Sequence, residues 1–350
     1  MKVKLIGDPK IVMSNPRSHH NYFAWPTVTR LQDGKIVVGA SGFRLQHICP
    51  FGKAVISYSF DEGEHFTPPA PVIDTPLDDR DVGLCPFGEH GLIFTSFNNA
   101  ADFQKKFNTG NDYVQRYLER VTKEEEAACL GSHFCISRDD GITFGDLIPS
   151  PVTSPHGPIA LKNGNILWVG NRFDDFSASL AVVRIDPETG SSEFVGEIRS
   201  DDPELILCEP HMIELPDGRL LCHIRGEGKG WFTVYQSISE DGGKSWTKPE
   251  MILDETAGAP PHLLLLSSGE ILSVYGRRTA PCGIMAAVSR DGGKSWEKDL
   301  RIYRAVTDVW DLGYPATVEG KDGSLLTVFY APISENGPCV IFGQKWCLEE

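Results

Sequence analysis

Four stretches of this chain repeat one pattern, Ser-x-Asp-x-Gly-x-(Ser/Thr/His)-(Phe/Trp): Ser59 to Phe66, Ser137 to Phe144, Ser239 to Trp246 and Ser289 to Trp296. Each position has a physical task. The Asp carboxylate accepts backbone N–H groups two or three residues on and holds a tight turn. The Gly supplies the positive φ that such a turn needs. The closing Phe or Trp is an apolar anchor that pins the hairpin to its own sheet. A hairpin repeated in this way predicts a repeat architecture rather than a single irregular sheet.

A second period supports the first. Turn pairs, each followed by an apolar run, occur at Asp33-Gly34, His90-Gly91, Asn163-Gly164, Asp217-Gly218, Ser268-Gly269 and Asp322-Gly323, with steps of 57, 73, 54, 51 and 54 residues between the glycines. Six units of this size fit blades of four antiparallel strands. The expected fold is all-β: one six-bladed β-propeller domain over residues 1–350, with a short helical insertion in blade 2. The long second step locates that insertion. Asp112 to Cys129 reads as one helix, because Tyr113, Tyr117, Leu118 and Val121 share a face. It is expected to pack on a blade, with a lid or a homo-oligomer contact as alternatives.

Composition excludes several partner classes. The net charge of −15 disfavours nucleic acid and anionic membrane, since both need basic surface. Nine Cys at irregular spacing, without a CxxC pair, do not read as a disulfide framework. The start lacks the apolar core of a signal peptide, so a cytoplasmic protein with reduced thiols is expected.

The six glycines also act as a ruler. Eight residues before them stand Pro26, Gly83, His156, Pro210, Pro261 and Pro315, four of six being Pro, as suits a strand start. Strand alternation then puts the residues on either side of this position on one face. It groups Trp25, Glu209, His211, His262 and Tyr314 at the axis, with His156 on the ruler itself. Second strands end in Arg44, Arg172, Arg225 and Arg277 at nearly matching offsets. Arginines brought together in this way hold a carboxylate by bidentate pairing. No HxH or HExxH spacing argues for a metal, and no cofactor is expected.

The repeated hairpin resembles the Asp-box of sialidases, and the match reaches individual residues. The resemblance implies a Tyr nucleophile near the start of blade six, which Tyr314 in Asp311-Leu-Gly-Tyr314-Pro matches. It implies a Glu partner from blade four, which Glu209 in Cys208-Glu209-Pro210-His211 matches. A sialic acid carries a carboxylate at its anomeric carbon. That charge repels a carboxylate nucleophile but not a neutral Tyr, which a neighbouring Glu base activates. Arg225 and Arg277 match two members of the family's arginine triad. The first member belongs to an Arg-Ile-Pro motif, where this chain has Ala24 in Phe23-Ala24-Trp25-Pro26.

The family's acid/base Asp has no counterpart in the loop from Arg44 to Gly52. Asp79 and Asp81 from the next blade, or His47, are the candidates to replace it. The expected activity is hydrolysis of a terminal acidic sugar, such as a sialoside, from a small glycan. The alternatives are a uronate lyase using His, Tyr and Arg, and a non-catalytic glycan-binding propeller.

Overall fold

The computed structural model describes residues 1–172, 179–228, 232–253 and 260–349. The strands form six antiparallel sheets arranged as the blades of a propeller. Blade one is Tyr22–Arg30, Ile36–Arg44, Lys53–Ser59 and Ala70–Ile73, hydrogen-bonded in chain order. Blades two, four and five repeat this order, with inner strands Leu84–Phe87, Ile206–Glu214 and His262–Leu265. Blade three has a broken inner edge, with Val152–Thr153 and Ile159–Ala160 both pairing with Ile166–Arg172. Blade six takes Gly313–Glu319, Leu325–Pro332 and Cys339–Glu349 from the end of the chain, and Lys2–Met13 pairs with Cys339–Glu349 as its outer strand. That strand exchange closes the ring and explains why the sixth unit needs no Asp-box.

All four Asp-boxes lie on the turns between third and fourth strands. In the third copy, Ser239 Oγ accepts the Gly243 N–H (2.9 Å), and Asp241 accepts the Lys244 and Ser245 N–H groups (3.1 and 2.9 Å). The Ser245 hydroxyl, which donates to Asp241 Oδ2 (2.5 Å), and then the Ser245 N–H hold the Asp241 carboxyl down at about 2. The Trp246 indole donates to the Gly243 carbonyl (2.9 Å) while its ring packs on the cluster between blades three and four. Apolar strand faces pack blade against blade: Val38 and Val55 of blade one meet Val328, Tyr330 and Ile341 of blade six. Near the axis, Gly83 and Gly157 bring the backbones of blades two and three together, where a Cβ on Gly83 would stand 2.4 Å from the Gly157 Cα.

The insertion of blade two differs from the single expected helix. It is three short helices, α1 Ala101–Phe107, α2 Asp112–Leu118 and α3 Lys123–Cys129. Thr122 and Glu125 form a capping box that starts α3 afresh, so the apolar face is split between two axes. Val114, Leu118 and Cys129 pack with Leu77 against Leu45 and Phe51 of blade one's loop. The nine cysteines are free thiols.

Candidate active site

Bulges at the starts of the inner strands build this site. Register shifts fall between Ala24 and Thr27, Cys208 and His211, and Gly313 and Ala316. At these bulges Trp25, Glu209 and Tyr314 have φ of 52°, 49° and 48°. Asp81, just before the inner strand of blade two, has φ 56°. Large non-glycine side chains in this region are strained, and bulges re-aim side chains. Neighbouring groups hold the strained segments in place. Asn171 of blade three accepts the Glu209 N–H (3.3 Å) and donates to the Leu207 carbonyl (2.8 Å).

The re-aimed side chains meet. The Tyr314 hydroxyl donates to Glu209 Oε1. Arg225 donates to Glu209 Oε2 (2.6 Å) and pairs with Glu227 (2.6 Å). Burial first, and then the Glu209 charge, push the Tyr314 phenol well above its ordinary range. The neutral phenol therefore needs a base to react, and Glu209 is in contact with it. Asp81 belongs to the same electrostatic cluster. Burial pushes its carboxyl up to about 6, with Glu209 adding to the rise and Arg80 opposing it. Its Oδ1 is buried and has no hydrogen-bond partner among the described residues.

Asp79 does not join them. Its carboxylate accepts the Thr75 N–H and hydroxyl (2.6 and 2.8 Å), which ties it into its own loop, and burial pushes it up to about 7. His47 stands at the rim, 30% exposed at its side chain. Its Nδ1 is 3.0 Å from Asp311, which also accepts from the hydroxyls of Tyr22 (2.8 Å) and Tyr330 (3.1 Å). Burial lowers the His47 pKa, so the ring is mostly neutral at neutral pH.

The arginines sort differently from the offset rule. Arg44 is fully buried and paired with Asp78 at 2.5 Å, so it braces the loop and offers no surface to a ligand. Arg172 is exposed and borders a separate cavity of about 470 Å³ with Val152 and Phe194 on blade three. The Arg277 charge acts on Tyr275 and Cys282, whereas the Arg278 charge acts on Tyr314 and Tyr330. Arg278 also donates to the Leu312 carbonyl (3.0 Å) and lies 5.8 Å from the Tyr314 ring centroid. The arginine of this strand end that meets the Tyr314 ring is thus Arg278, one residue beyond the offset position. Trp25 is a fully buried cushion: its ring carries Arg80 at 3.9 Å and His47 at 5.0 Å.

The bulges also separate the histidines from the Tyr314–Glu209 pair. His156, His211 and His262 cluster on the axis, with His211 stacked on His262 at 4.4 Å. They line a cavity of about 350 Å³ with Thr27, Leu84 and Thr317, toward the far ends of the inner strands. The Leu263 N–H donates to His211 Nδ1 (2.9 Å), which leaves the proton of the neutral ring on Nε2 and closes that nitrogen to a metal. Sequence reasoning passed over Arg80, Arg278 and Asp311. The Gly276-Arg277-Arg278 run and the acidic run at residues 78–81 were the available signals.

A sequence model of the family described as "BNR repeat-like domain" matches residues 114–327. No curated protein matches the chain. Among solved structures, the fold is similar to a protein of unknown function from Dyadobacter fermentans (21% identity, TM-score 0.80, 99% of each chain covered). It is similar to a sialidase from Streptococcus pneumoniae (13% identity, TM-score 0.67, covering 97% of this chain and 70% of that one). It is also similar to an intramolecular trans-sialidase from Ruminococcus gnavus (14% identity, TM-score 0.64, 97% of each chain covered).

Proposed function

The chain belongs to the BNR repeat-like domain family, and on that premise we propose that it is a sialidase-like glycoside hydrolase acting on a terminal acidic sugar. The observation that carries the reading is the contact of the Tyr314 hydroxyl with Glu209, itself held by Arg225. The sialidase-like fold supports a glycosidase at the level of fold.

In the first step the Tyr314 oxygen attacks the anomeric carbon and Glu209 accepts the phenolic proton. The bond to the leaving oxygen breaks as Asp81 donates its proton. In the second step Asp81 takes a proton from water, the hydroxyl attacks the anomeric carbon, and the Tyr314 oxygen leaves and recovers its proton from Glu209. Two displacements retain the configuration. Arg225 and Arg278 oppose the Glu209 and Asp81 charges at Tyr314 and are the cations an anionic sugar meets there.

One observation favours a second reading. His47, neutral and oriented by Asp311, has the form of a base for β-elimination from a uronate glycan. Incubation with sialosyl and glucuronosyl glycosides separates the two. The hydrolase releases a free acidic sugar of retained configuration, read by proton NMR. A product absorbing in the ultraviolet, from a new conjugated double bond, would mark the lyase.

A further inference from the structure

The acidic run at residues 78–81 contains one cation, Arg80, and its guanidinium is unusual among the arginines around Tyr314. The terminal nitrogens of Arg44 are taken up by Asp78, Ser41 and the His47 carbonyl. Arg225 is paired with Glu209 and Glu227 through its two terminal nitrogens, and Arg278 donates to the Leu312 carbonyl and the Tyr330 hydroxyl. Arg80 is only 8% exposed, yet its guanidinium makes no hydrogen bond among the described residues. Its nearest carboxylate oxygens, on Asp81 and Asp78, stand 3.7 and 3.9 Å away, beyond hydrogen-bond contact. The Asp78 charge is already committed to Arg44 at 2.5 Å.

Arg80 is nevertheless held in place. Its backbone N–H and carbonyl both pair with Phe97 at 2.8 Å. Its Cζ lies 3.9 Å from the centroid of Trp25, whose ring is in turn 6.4 Å from that of Tyr314. Stacking fixes the plane of the fork and leaves its N–H edges to be satisfied. The Arg80 nitrogens are not among the fully enclosed unpartnered atoms, so these N–H edges stay open to an incoming group, and an oxyanion with two coplanar oxygens matches them.

We propose that Arg80 receives the anionic group of the ligand, a carboxylate on the sugar bound beside Tyr314, from blade two rather than from the position that Ala24 occupies in blade one. This assignment rests on the acidic-sugar reading above and is independent of whether Tyr314 is the nucleophile. The competing account is that Arg80 only balances Asp78 and Asp81.

The test is calorimetric titration with sialic acid and with glucuronic acid, each against its neutral methyl ester. The proteins are the wild type, Arg80→Gln, Arg80→Lys and Tyr314→Phe. For one of the two sugars the wild type is expected to bind the acid about tenfold or more tighter than the ester. Arg80→Gln brings that ratio to about one, and Arg80→Lys, which keeps the charge facing Asp78 and Asp81 but loses the fork, gives an intermediate ratio. Tyr314→Phe keeps the wild-type ratio. If Arg80→Gln does not fold, as read by its thermal melt, the lysine variant carries the comparison alone. An unchanged ratio in the substituted proteins overturns the assignment, as does a wild type that prefers neither acid to its ester. Turnover surviving in Tyr314→Phe with an Arg80-dependent ratio would sink the nucleophile and leave the anion receptor standing.

Discussion

Replacing Asp81 by Asn isolates the proton-donating step. The Asp81 carboxyl is pushed up to about 6 by burial and by the Glu209 charge, and its Oδ1 has no partner among the described residues. A general acid works in its protonated form, so its contribution is lost as pH rises through that value. Roughly nine-tenths of Asp81 is protonated at pH 5 and one-tenth at pH 7, which makes the rate fall about tenfold, equal to about 1.4 kcal/mol of barrier. The proton matters only for a leaving group that cannot depart without it. Asp81→Asn should therefore slow release of lactose from a sialosyl lactose by about 10²- to 10⁴-fold and abolish the alkaline limb. With 4-methylumbelliferone as leaving group the loss in kcat/KM should stay under about tenfold, because that phenolate leaves readily, whereas kcat falls further as water loses its base in the second step. Fluorescence and coupled sugar assays across pH 4.5 to 8 read both. Equal losses on the two substrates, or a limb that persists in Asp81→Asn, would refute the assignment. A persisting limb at more acid pH would point to His47, whose pKa burial lowers.

Three further outcomes follow from particular contacts. Ser239→Ala leaves the Gly243 N–H of an Asp-box without its acceptor and should cost about 1–2 kcal/mol in urea unfolding, with kcat unchanged, because the turn lies away from the axis. Asp78→Ala strands the buried Arg44 and should cost about 3–5 kcal/mol; a variant as stable as wild type would return Arg44 to the list of ligand-binding candidates. Asp79 keeps in the folded protein a proton that the unfolded chain releases near pH 4, so its contribution to stability falls as pH rises from there through about 7. Melting temperatures at pH 5 and pH 8 should differ less in Asp79→Asn than in wild type.

The propeller was legible because its signals are local and repeated. Each Asp-box closes its turn with bonds spanning at most four residues, and four of the five steps between the turn glycines fall at 51–57 residues. Glu209 and Tyr314 were legible for the same reason, since they hold one register position in two blades. Register reasoning failed where the backbone stops alternating. The bulges at Glu209 and Tyr314 turn these side chains away from His211 and His262, which simple alternation had grouped with them. Contacts between distant segments carry no local trace. Asp311 meets His47 across 264 positions, and Arg80 reaches Trp25 from the next blade. The charge of Arg44 pointed to a ligand, yet Asp78, inside the same acidic run that supplies Asp81, claims it.

A nucleophilic Tyr314 must form a covalent bond to the sugar. A slowly hydrolysed analogue such as 2,3-difluorosialic acid, incubated with the protein and followed by peptide mass spectrometry, tests it most directly. A uronic acid analogue, the 5-fluoro glucuronosyl fluoride, covers the other acidic sugar class. One of the two should leave an adduct on the peptide carrying Tyr314, and Tyr314→Phe should leave none. An adduct on another residue, or hydrolysis of the matching glycoside with neither analogue labelling Tyr314, would contradict it.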